Sequence, residues 1–200
     1  MNPMRPQVVV LGGPNGAGKS TSAMEVLPVH LGVSIFVNAD VIARGLAAFD
    51  TASADIAAGR LMLGRIRELA AARESFAFET TLASRSLAPW IAGLRESGYN
   101  VHLYYLWLRS PDLAVARVQA RHQSGGHLVP EADVRRRYVR SAANFLSSFQ
   151  PLATTWRVFD NSDASGPVLV AEGGEGRVDT IHDSTTWSRF SSIADEAAEE

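Results

Sequence analysis

Short aliphatic and β-branched runs alternate along this chain with longer stretches whose apolar positions return every three or four residues. That is the pattern of a parallel sheet covered by helices on both faces. Five runs read as strands: Gln7–Gly12, Ser34–Asn38, Phe76–Glu79, Val101–Leu108 and Arg157–Asp160. Between them, Lys19–Val26, Val41–Ala48, Ser53–Ala72, Arg85–Glu96, Asp112–His122 and Glu131–Phe149 have helical length and spacing. Ser110-Pro111-Asp112 carries a start signal, a capping hydroxyl before a proline in the first turn. Beyond Asp160 the pattern changes. Val168–Glu172 and Arg177–Ile181 flank Gly173-Gly174-Glu175-Gly176, which predicts a hairpin adding antiparallel strands at one sheet edge. The acidic Asp195–Glu200 reads as a solvated helix end or frayed tail. The expected class is therefore α/β, a parallel five-stranded sheet with helices on both faces and a C-terminal β-hairpin.

Composition narrows the partners. With 200 residues and 46% hydrophobic content, the chain can bury one sizeable core, so residues 1–200 are expected to form one domain. A net charge of −2 lacks the basic excess that phosphate neutralisation on nucleic acid requires, which leaves small molecules or proteins as the expected partners. Cysteine is absent, which excludes disulfides, thiolate metal sites and cysteine nucleophiles, and the five histidines show no paired spacing of a zinc site. The first apolar run, Val8–Leu11, is far too short for a bilayer or a signal peptide, so no membrane association and a cytoplasmic location are expected.

Gly13-Pro14-Asn15-Gly16-Ala17-Gly18-Lys19-Ser20 matches the Walker A pattern between an expected strand and an expected helix. Glycines let the backbone turn tightly, so that successive N–H groups point at a β-phosphate and the helix N-terminus adds its positive end. In such a P-loop NTPase fold, Lys19 reaches the β- and γ-phosphates of ATP, the Ser20 hydroxyl ligates Mg2+, and Thr21 sits near the α-phosphate. Lys19 is also the single lysine beside eighteen arginines. Arginine has replaced lysine wherever either serves, but a planar guanidinium cannot slot between phosphate oxygens as a compact ammonium does.

A switch GTPase or motor ATPase carries an acidic residue at the end of an apolar strand, yet Val101–Leu108 contains none. The acids near strand ends are Asp40 and Glu79, at the sheet edge that lines the ligand crevice in α/β folds. One carboxylate there can take the proton from an attacking hydroxyl, and a second can hold the metal's water shell or the acceptor. The alternative for Asp40 is a cap on the helix beginning at Val41. Arg117 and Arg121 share a helix face leading into Ser124-Gly125-Gly126-His127, and Arg135, Arg136, Arg137 and Arg140 follow on the next helix. This is the arrangement of a lid that brings positive charge over a transferring phosphate.

The segments GPNGAGKST, FVNADVIARG, FAFETTLASRS, RVQARHQSGGHLVPEADVRRRYVRS and VFDNS, in this order, resemble the zeta-toxin family of P-loop kinases from about Val8 to Trp187. The resemblance implies ATP-dependent phosphorylation of a hydroxyl on UDP-N-acetylglucosamine, and a separate antitoxin protein as partner. It implies Asp40 as catalytic base, Glu79 and Thr80 as acceptor-holding residues, Arg117 and Arg121 on the transferring phosphate, and Asp160-Asn161-Ser162 near the adenine. Arg85 and Trp90, downstream of the ETT segment, could line the acceptor site, with a core or surface role for Trp90 as the alternative. A nucleotide-binding regulatory module with little turnover is the rival reading. Kinase action on an antibiotic or nucleoside would use the same residues with another acceptor pocket.

Overall fold

The computed structural model describes residues 5–23, 33–46, 51–125 and 129–196. Among them one mixed sheet runs in the order β2-β3-β1-β4-β5-β6-β7. Its strands are β1 (Gln7–Gly12), β2 (Phe36–Val37), β3 (Phe76–Glu79), β4 (Asn100–Trp107), β5 (Thr155–Asp160), β6 (Val168–Gly174) and β7 (Arg177–Ile181). The first five are parallel, and β6 and β7 extend the sheet antiparallel from β5, as the pattern predicted. The hairpin turns at Glu175 and Gly176, both at positive φ (52° and 76°), which matches the right-handed twist of the strands it joins.

β1 lies at the centre, and its Val8, Val9 and Val10 are completely buried because both sheet faces are covered. Its register puts Leu11 level with Glu79 of β3 and Tyr104 of β4. The carboxyl end of β3 is thereby fixed beside the loop that leaves β1.

The helices are α1 (Ala39–Leu46), α2 (Thr51–Ala71), α3 (Ala88–Glu96), α4 (Pro111–Gln123), α5 (Glu131–Asn144) and α6 (Ser184–Glu196). Residues 19–23 are also helical, and the remainder of the helix expected at Lys19–Val26 lies outside the described residues, as does Ala47-Ala48. Several boundaries differ from expectation for local reasons. β2 is only Phe36–Val37, and α1 begins at Ala39, because Asn38 leaves the strand to cap the helix. The stretch Arg85–Glu96 divides into a 3-10 turn, Arg85–Leu87, and α3, since Pro89 is tolerated only in the first turn of an α-helix. The stretch Glu131–Phe149 divides into α5 and a π-helical turn, Phe145–Phe149, which buries both of its phenylalanines.

Helix α6 was not expected from the pattern. It packs on α5 and β6 through Trp187 and Phe190. Phe190 is fully buried among Tyr105, Phe145, Trp187 and Trp107, with ring centroids 5.3, 5.7, 5.6 and 6.1 Å away. Trp187 stacks on Trp156 at 5.7 Å. These aromatic contacts anchor α6 against β4, β5 and the π-helical turn that follows α5. Helix α5 in turn reaches the strand ends: Tyr138 Oη donates to the Leu108 carbonyl at 2.6 Å, and Asn144 Nδ2 donates to the Leu82 carbonyl at 2.8 Å. No helix among the described residues is long and apolar enough to cross a membrane.

Removing the Phe190 ring leaves a cavity among four aromatic side chains. Phe190→Ala is expected to cost about 3–5 kcal/mol of stability, read from the shift of the denaturant midpoint at unchanged slope.

Candidate active site

The loop leaving β1 is shaped by close approaches that only glycine permits. Gly13 lies at φ 139°, and a Cβ there would stand 2.3 Å from the Leu106 carbonyl oxygen; one on Gly16 would stand 2.7 Å from that of Ala114. The loop is therefore wedged between the end of β4 and the start of α4. Lys19 is buried, and its Nζ donates to the carbonyls of Gly13 and Pro14 at 2.9 and 2.8 Å. Burial pulls its pKa below the ordinary lysine value, and the carboxylates of Glu79 and Asp40 oppose that shift.

Beside Lys19, Ser20 Oγ donates to Glu79 Oε2 at 2.6 Å, and Glu79 Oε1 lies 3.7 Å from Lys19 Nζ. Asn38 joins them, its Nδ2 donating to Ser20 Oγ at 3.2 Å and to Glu79 Oε2 at 2.9 Å. The other end of the same amide caps α1, with Oδ1 accepting from the N–H groups of Asp40 and Val41 at 2.7 and 3.3 Å. Asn38, and not Asp40, is thus the cap. Asp40 is left in the first turn with its carboxylate 57% exposed and 3.6 Å from Arg121 Nη1.

These groups line one cleft of about 490 Å³ together with Asn15, Thr21, Thr80, Arg117 and Arg137. Gly59, Met62 and Leu63 of α2 also line it, with Thr81, Ser86 and Leu87. The arginines divide by partner. Arg117 donates to the carbonyls of Asn161 and Ser162 at 2.7 and 2.9 Å, and Asn161 Nδ2 donates to the Ala17 carbonyl at 2.8 Å. Arg117 therefore clamps the loop after β5 onto the phosphate loop. Arg121 faces Asp40, and Arg137 Nη1 reaches Asn15 Oδ1 at 3.4 Å. Arg135 pairs with Asp112 and Glu131, and Arg136 with Asp133. Arg85 donates to Asn144 Oδ1 at 2.8 Å and is not part of the cleft lining, and Trp90 packs against Phe76 and Phe78 in the core.

The structure thus gathers Lys19, Ser20, Thr21, Asp40, Glu79, Thr80, Arg117 and Arg121 around one cleft, holds Asn161 against its loop, and leaves Arg85 aside. Sequence reasoning did not single out Asn38, Arg137 or the α2 wall. Helical phase could have separated Arg137 from its neighbours, because it lies between the buried Val134 and Ser141 at three- and four-residue spacing. A Ser20 hydroxyl and a Glu79 carboxylate converging beside a buried ammonium fit a magnesium ion bound mainly by phosphates and water. Among the described residues no cluster of three or more carboxylate or imidazole groups offers another metal site.

The sheet order and the loop define an α/β P-loop kinase fold. The sequence pattern described as AAA domain (AAA_33) matches residues 8–142, and the chain belongs to that family. It is 32% identical over 135 residues to an uncharacterized protein of Haemophilus influenzae, covering 68% of this chain and 94% of the relative. A chain of the AvrRxo1-ORF1:-ORF2 complex, crystallised with ATP, superposes with a TM-score of 0.75 at 19% identity over 96% of this chain. This chain spans 65% of that one, just under two thirds of its length. A chain of the PezAT chromosomal toxin-antitoxin system of Streptococcus pneumoniae superposes with a TM-score of 0.64 at 13% identity, covering 100% of this chain and 88% of that one. At these identities the two structures share the fold.

Asn38→Ala is expected to lose the cap, at about 1 kcal/mol in a thermal or denaturant melt. Asn38→Asp keeps the capping oxygen but sets a second carboxylate against Glu79, so it should melt close to wild type while weakening Mg-ATP binding in calorimetry.

Proposed function

We propose that the protein is an ATP- and magnesium-dependent phosphotransferase that moves the γ-phosphate to a hydroxyl of a small molecule. The observation that carries this reading is the exposed carboxylate of Asp40, held by the Asn38 cap at the mouth of the phosphate cleft and facing Arg121. A carboxylate so placed can take a proton from an acceptor, which a module that only binds nucleotide does not need.

The loop N–H groups and Lys19 would hold the β- and γ-phosphates, Lys19 exchanging the carbonyls of Gly13 and Pro14 for phosphate oxygens. Ser20 would ligate the magnesium ion, and Glu79, hydrogen-bonded to that hydroxyl, would order its water shell instead of gripping the acceptor. When bound, the ion would supply charge neutralisation to the phosphates. Arg121 would turn from Asp40 to the γ-phosphate, freeing the base as the phosphate becomes stabilised, and Arg137 would approach from the lid beside Asn15. Arg117 keeps the nucleotide-side loop in place through Asn161 and Ser162, a positioning role in place of the phosphate contact implied by the family resemblance.

UDP-N-acetylglucosamine is the acceptor suggested by the resemblance to zeta toxins, and it is the first compound to assay. The pairing of both structural neighbours with a second protein supports a separate protein partner, and the continuous sheet supports a single domain over residues 1–200.

Asp40→Asn is expected to lower transfer from labelled ATP by about 10²–10⁴ while leaving ATP binding within a few-fold. Arg121→Ala should lower kcat by about 10³ with a smaller change in the KM for ATP. Unchanged ATP turnover in Asp40→Asn would sink the kinase reading in favour of a nucleotide-binding regulatory module.

A further inference from the structure

The cleft has two halves of different chemistry. Its charged side chains stand around the phosphate loop, and each has a partner there: Lys19 and Glu79 each other, Asp40 and Arg121 each other, Arg117 the loop after β5, Arg137 Asn15. The lining residues contributed by α2 and by the turn after β3 are, among the described residues, uncharged beyond Glu79. Gly59, Met62 and Leu63, at three- and four-residue spacing, form one stripe along α2, and Leu87 completes an apolar wall. Thr80, Thr81 and Ser86 bring hydroxyls to the same space.

The two threonine hydroxyls are oriented by the backbone, and that of Ser86 accepts from Ser84 Oγ at 3.1 Å. Thr80 Oγ1 accepts from the Leu82 N–H at 3.2 Å and Thr81 Oγ1 from the Ala83 N–H at 3.4 Å, so each keeps its own proton to donate. The turn that presents them is held in place by Leu82, buried at φ 56° beneath Gly12. Gly59 adds a second observation. A Cβ built on it meets no atom within 4 Å, so the missing side chain relieves no clash in the fold and leaves open space. Glycine inside a helix is unfavourable relative to alanine, and here its effect is to widen the cleft.

We propose, on the basis of the kinase reading above, that this half of the cleft is an acceptor subsite for an uncharged polyhydroxyl compound with one apolar face, and that Gly59 sets its width. The apolar face rests on Met62, Leu63 and Leu87, while acceptor oxygens take the protons of Thr80, Thr81 and Ser86. A phosphate or diphosphate resting on this wall would lose hydration against side chains that, among the described residues, carry no charge. In the transfer, the acceptor oxygen bonds to the γ-phosphorus and its proton passes to Asp40. The bond from that phosphorus to the β–γ bridging oxygen breaks, and its electron pair leaves on ADP.

The test uses matched neutral and charged acceptors: glycerol against glycerol 3-phosphate, and N-acetylglucosamine against UDP-N-acetylglucosamine. Transfer from labelled Mg-ATP is measured for wild type, Gly59→Ala and Gly59→Leu, and the ¹³C-methyl resonance of Met62 reports binding in the same proteins. The neutral member of a pair is expected to have the higher kcat/KM by about tenfold or more and to shift the Met62 methyl. Gly59→Leu should cut that kcat/KM by about a hundredfold with the KM for ATP within about twofold, and Gly59→Ala should fall between. The thermal midpoint of Gly59→Ala should not drop, since no described residue lies within 4 Å of the added Cβ. Preference for the charged member overturns the proposal. So does a Met62 methyl unmoved by every neutral compound, or a Gly59→Leu variant that uses neutral acceptors like wild type. The kinase reading stands or falls separately, on the ATP turnover of Asp40→Asn.

Discussion

One side-chain amide ties the site together. Asn38 faces two ways: its oxygen ends α1 by accepting two backbone N–H groups, and its nitrogen holds Ser20 and Glu79. Four elements thereby meet at one residue, the phosphate loop, the ends of β2 and β3, and the first turn of α1. The position of Asp40 follows, because a carboxylate in the first helical turn points where the cap sets the helix entry. Without that cap Asp40 and the Ser20–Glu79 pair would belong to independently moving segments. Asn38 is buried, so its donors and acceptor must be satisfied locally, and that requirement makes the arrangement specific.

The electrostatics follow the same economy of placement. A buried ammonium is costly unless polar groups surround it, and Lys19 is surrounded by two carbonyls and a carboxylate. Nucleotide binding on this reading is an exchange of partners, phosphate oxygens for carbonyls at Lys19 and for Asp40 at Arg121. Arg117 is different in kind. Two short hydrogen bonds commit its guanidinium to the loop after β5, which rests on the phosphate loop through Asn161. Planar bidentate recognition suits such a clamp, and lysine would not reproduce it.

Much of this was legible in the chain. The five parallel strands, the hairpin at the edge and the phosphate loop follow from patterns that are local: an apolar run, a turn rich in glycine, a motif whose residues lie within eight positions. Asp40 and Glu79 could be placed near the crevice because a strand's carboxyl end is known once the strand is. Boundaries were less legible, as at Asn38, where a polar residue could continue a strand or begin a helix. Helix α6 escaped notice because its apolar positions, Trp187, Phe190 and Ile193, are spaced among serines and threonines with weak helical preference. Packing against Tyr105, Phe145 and Trp156 stabilises it, and those partners are remote in sequence.

Local chemistry therefore dictated the class of fold, the loop that receives phosphates and the lysine within it, because each depends on residues a few positions apart. Which arginine does what was decided by tertiary contacts. Six arginines from Arg117 to Arg140 carry the same charge in the sequence, and only packing assigns five of them: one to a loop, one to Asp40, one to Asn15 and two to salt bridges. The uncharged wall of the cleft is likewise a tertiary product. Its residues come from α2, from the turn after β3 and from Leu87, segments that meet only because β1 and β3 pair in register and bring the ends of their strands to one edge.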